Sequence, residues 1–292
     1  MKSMIVAALC AAAGVASAQV VDGSLDGVYG APLSIQNTQT QFGDSNLGQT
    51  RFANGSELNA AYARVSGGNL YLMLTGNLQS NFNKLEIFID SKAGGQNQLR
   101  GDNPNVDFNG LNRMAGLRFD AGFEADYWIS STGGDTGGGN FGYFVNYSEL
   151  LTAGGGSGGF VGGNNGSGAL TGGSGLGIAS AINNSNTLGV GPGTGLDNGL
   201  NGSPSTGIEF AIPLSVIGSP VGEFKISAFI NGGGHDFVSN QVLGGLGGSN
   251  NLGEPSQVNF ANVAGDQYFV VPTPGASALL GLGTLLVGRR RR

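Results

Sequence analysis

The only histidine, His235, sits in Gly232-Gly233-Gly234-His235-Asp236, so a Ser-His-Asp hydrolase or a haem centre on this chain would have to use it. Triad chemistry also needs a serine on a sharp strand-to-helix turn, and no GxSxG elbow accompanies the histidine. Haem ligation would draw on His235 with Met73 or Met114, yet Met73 lies in the apolar run Leu70 to Thr75, where packing accounts for a methionine. His235 therefore reads as a loop histidine hydrogen-bonded by a neighbour. Paired carboxylates are the other route to chemistry. Glu86, Asp90, Glu124, Asp126 and Glu209 fall on or beside expected strands, and glycoside hydrolysis needs two of them about 5 to 10 Å apart. The aromatic lining usual in a sugar-cleaving cleft is thin, with one tryptophan, Trp128, and seven tyrosines. No catalytic constellation stands out, and the expectation is a protein that is not an enzyme.

An ion is better served. From Asp102 the chain reads DNPNVDFNG, with Asn103, Asn105, Asp107 and Asn109 at every second position before Gly110. Alternate oxygen ligands followed by a glycine turn suit a hard cation, and Asn105-x-Asp107-x-Asn109-Gly110 follows the opening of a D-x-[DN]-x-[DN]-G calcium loop. The first ligand is Asn rather than Asp, and Gly116 stands where a bidentate Glu would close the loop. Calcium at these four residues is the one cofactor the sequence suggests. The alternative is a network of side-chain-to-backbone bonds, which Asn and Asp also favour in turns.

These groups must be carried by β structure, because helix-period patterning is almost absent. Asn59 to Val65 alternates, Ser66-Gly67-Gly68-Asn69 turns, and Leu70 to Thr75 returns as a buried strand, which makes a hairpin. Lys84 to Asp90 (KLEIFID) places Leu85, Ile87 and Ile89 on one face and Glu86, Phe88 and Asp90 on the other. Further strands are expected at Gly116 to Phe119, Ala125 to Ser130, Gly142 to Tyr147, Ile178 to Ile182, Gly207 to Ile212, Glu223 to Ile230 and Gln267 to Val271. Pro213 suits the first position of a single helical turn ending at Ile217. About nine or ten strands with turns between them predict an all-β fold, a single antiparallel β-sandwich. The Gly/Ser/Asn-rich tracts 133–139, 154–177 and 187–206 are too poor in large side chains to build a core and read as long surface loops inserted in residues 19–271.

Composition narrows the partners. Removing Lys2 and the four terminal arginines from thirteen basic residues leaves eight against nineteen acids, a body near −11. Nucleic acid needs clustered Lys and Arg, so it is not an expected partner. The single cysteine, Cys10, lies in an N-terminal apolar run, Met4 to Val15, that follows Lys2 and ends at Ala16-Ser17-Ala18. That order is a secretory signal peptide over residues 1–18, with signal peptidase and the export machinery as partners and Gln19 as the mature start. Export then leaves no thiol for disulfides or metal ligation.

The other end has a matching address. Pro272-Thr273-Pro274 is followed by an uncharged run from Gly275 to Gly288 and then by Arg289, Arg290, Arg291 and Arg292. As a helix those fourteen residues span about 21 Å, a short membrane crossing, and the arginines would stay on the cytoplasmic side. The order of Pro-x-Pro, apolar helix and arginine cluster in residues 272–292 resembles the bacterial PEP-CTERM sorting signal, with Thr in place of the family's Glu. The resemblance implies recognition by an exosortase-like transpeptidase, transient anchoring in the inner membrane, and delivery to the envelope surface or the extracellular space.

A second resemblance runs through the body. Asp22-Gly23-Ser24-Leu25-Asp26, the hairpin NLYLMLTG, the strand LEIFID and Gly207-Ile208-Glu209-Phe210-Ala211-Ile212-Pro213-Leu214 occur in this order. Together they are similar to β-sandwiches of the DOMON and family-9 carbohydrate-binding-module type, which implies ligand binding without chemistry, with polysaccharide as a ligand and Tyr127 with Trp128 as the local aromatic pair. Alternation sends those two rings to opposite faces of a strand, so core packing is the competing role for Trp128. The expectation for the whole chain is an exported, non-catalytic structural or interaction component of the envelope surface or exopolysaccharide matrix, with a carbohydrate-binding module as the alternative.

Overall fold

The computed structural model describes residues 19–165, 168–173, 175–190, 204–246 and 250–273. The expected signal peptide, the tail from Pro274 with its four arginines, and residues 191–203 of the third Gly-rich tract lie outside the described residues. Two antiparallel sheets face each other. The smaller has the order β1-β2-β3-β10-β9-β8, formed by Ser34–Ile35, Glu57–Ser66, Asn69–Asn77, Gly207–Pro213, Ala179–Ile182 and Leu170–Thr171. The larger has the order β12-β11-β4-β5-β6-β7, formed by Val238–Val242, Phe224–Asn231, Asn81–Asp90, Tyr127–Gly137, Asn140–Glu149 and Gly158–Asn165. A short strand, β13 (Phe269–Val271), pairs with the first half of β11, Phe224 to Ile226, while Gly232 to His235 continue from its other end.

Period-two alternation assigns the faces. Leu85, Ile87 and Ile89 of β4 meet Tyr127 and Ile129 of β5, Tyr143 and Val145 of β6, and the inner residues of the small sheet in one buried aliphatic core. The residues between them point outward, and there Phe88, Trp128 and, on β11, Phe229 start a second core. The chain between Leu99 and Phe123, together with Val258 and Phe260, folds over it. A four-residue helix, α1 (Gly110–Arg113), lies in that cover. On the opposite side of the molecule the N-terminal segment crosses the small sheet and packs Tyr29 against Tyr62 and Met73.

The expected hairpin, the KLEIFID alternation and the turn after Pro213 are all present, the last as a 3-10 turn over Leu214–Ile217. Two of the Gly-rich tracts expected as loops are strand in part. Residues 133–137 are the end of β5, and 158–165 form β7 at the edge of the large sheet, because glycine without a partner side chain can still complete a ladder whose neighbours supply the packing. In the other direction, Gly116 to Phe119 makes only single bridges from Arg118 to Gln98 and Asn259 and serves as cover, not as a strand. Among the described residues no helix is long and apolar enough to cross a membrane.

Candidate binding cleft on the large sheet

Register turns the outward residues of the large sheet into cross-strand rows. The row Phe88, Trp128, Ser148, Gly158 lies where the second core begins. One step along comes Phe229, Glu86, Ser130, Asn146, Phe160, and beyond it Asn231, Lys84, Thr132, Phe144, Gly163. Cover, charge and open cleft succeed one another along the same strands.

The middle of that face is a buried ionic cluster. His235 Nδ1 lies 2.7 Å from Glu86 Oε1 and its Nε2 2.9 Å from Asp107 Oδ2. Trp128 Nε1 donates to the other Glu86 oxygen at 2.8 Å, and Asn231 Nδ2 donates to Oε1 at 3.3 Å. Lys84 Nζ and Ser130 Oγ both donate to Asp107 Oδ2, at 2.9 and 3.2 Å. Burial alone would push His235 down, but the charge of Glu86 and the bonds to both carboxylates outweigh it and raise its pKa to about 9. Burial would likewise raise Asp107, and His235 and Lys84 overcome that, holding its carboxyl well below the usual carboxylate range. The ring of His235 fits only because Gly110 has no side chain, since a Cβ there would overlap the imidazole. His235 itself takes a left-handed φ of 56° at the end of its glycine run.

Beside this cluster opens a cleft of about 540 Å³ walled by Phe82, Phe108, Phe144 and Phe160. Its polar contacts come from Lys84, Thr132, Asn105 and Asn146. Glycines next to two of the rings let them lie close against the backbone. A Cβ on Gly134 would overlap the Phe82 ring, and Cβ atoms on Gly142 and Gly163 would each stand 2.7 Å from an atom of the Phe144 ring. Phe82, Phe108 and Phe160 keep a third or more of their surface exposed at this cleft, and exposed aromatic surface of this kind marks a ligand site more often than a packing error.

The residues singled out in the sequence are distributed as follows. Asp107 is the hub of the ionic cluster. Asn103 is buried and bonded to Gln96 and Arg100, Asn109 accepts from Asn112, and Asn105 lines the cleft, so Asp107 shares its oxygen with two cationic side chains rather than with the other three expected ligands. No cluster of three or more His, Cys, Asp and Glu side chains suited to a metal occurs among the described residues. Trp128 is fully enclosed in the second core and Tyr127 is buried in the first, on opposite faces of β5 as alternation required, so the pair forms no exposed stacking surface. Of the carboxylates weighed for catalysis, Asp126 is buried, accepts from Ser91 and Lys92 backbone N–H groups, and is raised to about 6 by burial. Asp90 accepts from Glu124 N. Glu209 lies on the other sheet, where it accepts from Asp22 N, Gly23 N and Tyr29 Oη at 2.9, 3.1 and 2.7 Å. The two short motifs around Asp22-Gly23 and Glu209 thus meet as a structural clamp. The cleft phenylalanines belong to no motif, and the signal for Phe144 is the alternation of Phe141, Tyr143, Val145 and Tyr147 with Gly142, Phe144 and Asn146.

No known protein family, curated protein or solved structure matches this chain. The chemistry of the cleft therefore rests on its own residues.

Proposed function

We propose that this is an exported, surface-sorted and non-catalytic β-sandwich, an interaction component of the envelope surface or exopolysaccharide matrix, and that it holds polysaccharide in the Phe82–Phe160 cleft. The observation that carries the reading is the set of four phenylalanine rings, Phe82 and Phe144 among them backed by glycine, flanked by Asn105, Asn146 and Thr132. A sugar ring has apolar C–H faces and hydroxyl edges, and this lining offers a partner for each. The reading is non-catalytic because His235 has both ring nitrogens committed to carboxylates, and Glu86 and Asp107 are committed in return. The leader and the Pro-x-Pro, apolar, arginine-ended tail support export and sorting by an exosortase-like enzyme, with a transient stay in the inner membrane.

A glycan array probed with the purified chain and with a Phe82→Ala/Phe144→Ala double variant tests the ligand. Retention of a polysaccharide by the parent and its loss in the variant are expected, and equal retention by both, or none by the parent, removes the proposal. Mass spectrometry of the native protein's C-terminus tests the sorting, with removal of the tail near Pro272 to Pro274 expected.

A further inference from the structure

Phe108 has 102% of its reference surface exposed, and it stands on unusual backbone. Asp107, Phe108 and Asn109 have φ of 49, 54 and 67°, the only run of three non-glycine left-handed residues among those described. Such conformations are unfavourable for side-chain-bearing residues and persist where the surroundings impose them. Here the surroundings are plain. Val106 is buried in the second core, the Asp107 carboxylate is held by Lys84, Ser130 and His235, and Gly110 N donates to Asp107 O at 2.9 Å. Asn112 Nδ2 donates to Asn109 Oδ1 at 2.8 Å. Every neighbour is tied down, and the ring alone is put on display. Packing gives no reason for that.

Two cavities meet at this ring. The aromatic cleft on one side and a second cavity of about 440 Å³ on the other share Lys84, Asp107 and Phe108. The second is lined further by Asn109, Asn112, Arg113, Gly233, Gly234 and His235. Each has the size of a pocket for one small ligand, and only a chain-like ligand would use both. Apart from Phe108 the second cavity has no apolar side chain, so a lipid or an apolar peptide seated in the first would find no complement beyond it. Charge does not select a polyanion either. Lys84 and His235 are matched by Glu86 and Asp107, and Arg113 is paired with Glu254 at 2.6 Å.

We propose that the two cavities are halves of one trough for an extended, uncharged glycan, with Phe108 as the stacking post between an aromatic half and a polar half whose charged side chains are paired among themselves. This rests on the polysaccharide reading of the cleft and adds the ligand's length, its lack of charge and the residue at its centre.

The test is titration calorimetry of the full chain with oligosaccharides of two to six units made from soluble β-glucan, xylan and galactomannan, beside alginate as a polyanion and an apolar peptide. Affinity for one neutral series is expected to step up with length, and Phe108→Ala to remove that step, a loss of roughly tenfold for one ring-stacking contact. Phe108→Trp is expected to keep it. Because the side chain is fully exposed, the melting temperature of both variants stays that of the parent, which separates lost binding from lost fold. Neutral oligosaccharides bound equally at every length, or equally by parent and Phe108→Ala, overturn the trough while leaving the cleft proposal standing. Capture of alginate or the peptide in preference to neutral glycans overturns the ligand assignment, and binding of no glycan overturns both.

Discussion

Each outer face of the sandwich buries a glutamate, and the two are held by donors of different kinds. Glu209, on the small sheet, accepts from two backbone N–H groups, a tyrosine hydroxyl and Gln19 at the longer distance of 3.4 Å. All are neutral, burial raises its pKa, and the result is a clamp that closes the N-terminal segment over the sheet. Glu86, on the large sheet, sits against an imidazole raised to about 9, with Lys84 and Asp107 completing an ionic cluster. There the covering chain stops and the cleft begins. Burial is common to both glutamates, so burial does not distinguish a fastening from the edge of a site. The charge of the donors does, because a cluster with ammonium and imidazolium groups gains from water and ligand close by, whereas a carboxylate served by amides can be sealed.

Glu86→Ala has the largest expected effect. It takes the acceptor from His235 Nδ1 and from the Trp128 indole N–H and leaves Asp107 as the imidazolium's one carboxylate, and breaking a buried pair in this way costs about 3–5 kcal/mol, read as a drop in the urea midpoint. The pH dependence comes next. The folded pKa of His235 lies above its unfolded value of about 6.5, so its contribution is complete below that pH and is lost as pH rises through about 9. That loss amounts to about 3 kcal/mol at most, and in His235→Gln the alkaline slope between these pH values should flatten while the parent shows it. Asp107 works with the opposite sign, and its contribution fades as pH falls below the ordinary Asp range of about 4. Glu209→Ala should cost about 2 kcal/mol, since it leaves buried donors unpaired, and limited proteolysis should cut between Gln19 and Tyr29 while glycan binding stays intact. Loss of binding in that variant would mean that the two faces are coupled. The smallest shift belongs to Phe108→Ala, whose unfolding free energy from urea titration should change by less than about 0.5 kcal/mol.

Much of the scaffold was written in local pattern. KLEIFID alternates, Ser66-Gly67-Gly68-Asn69 supplies the turn of a hairpin, and Pro213 ends β10 where its ring cannot extend the ladder. β7 and the end of β5 were hidden because their glycines carry no hydrophobic signal, and the side chains that make them part of a sheet belong to other strands. The site was less legible. Asp107 stood out for its spacing and His235 for being alone, but nothing local joins them to each other or to Lys84 and Glu86, since their proximity comes from tertiary register across β4, β5 and the loops that meet over them. Phe82 and Phe144 become platforms only when Gly134 and Gly163 arrive beneath them from neighbouring strands, which a reading along one strand cannot foresee.

The strand β11 sets a direction for the whole molecule. Val271 pairs with Phe224 at its start, whereas Asn231 at its finish leads into the wall of the trough. Eight residues of strand separate these ends by about 23 Å. A molecule moored through whatever follows Val271 would hold its ligand-receiving rim at the far pole, facing away from the mooring, so that polymer arriving from outside reaches it without first passing the tether.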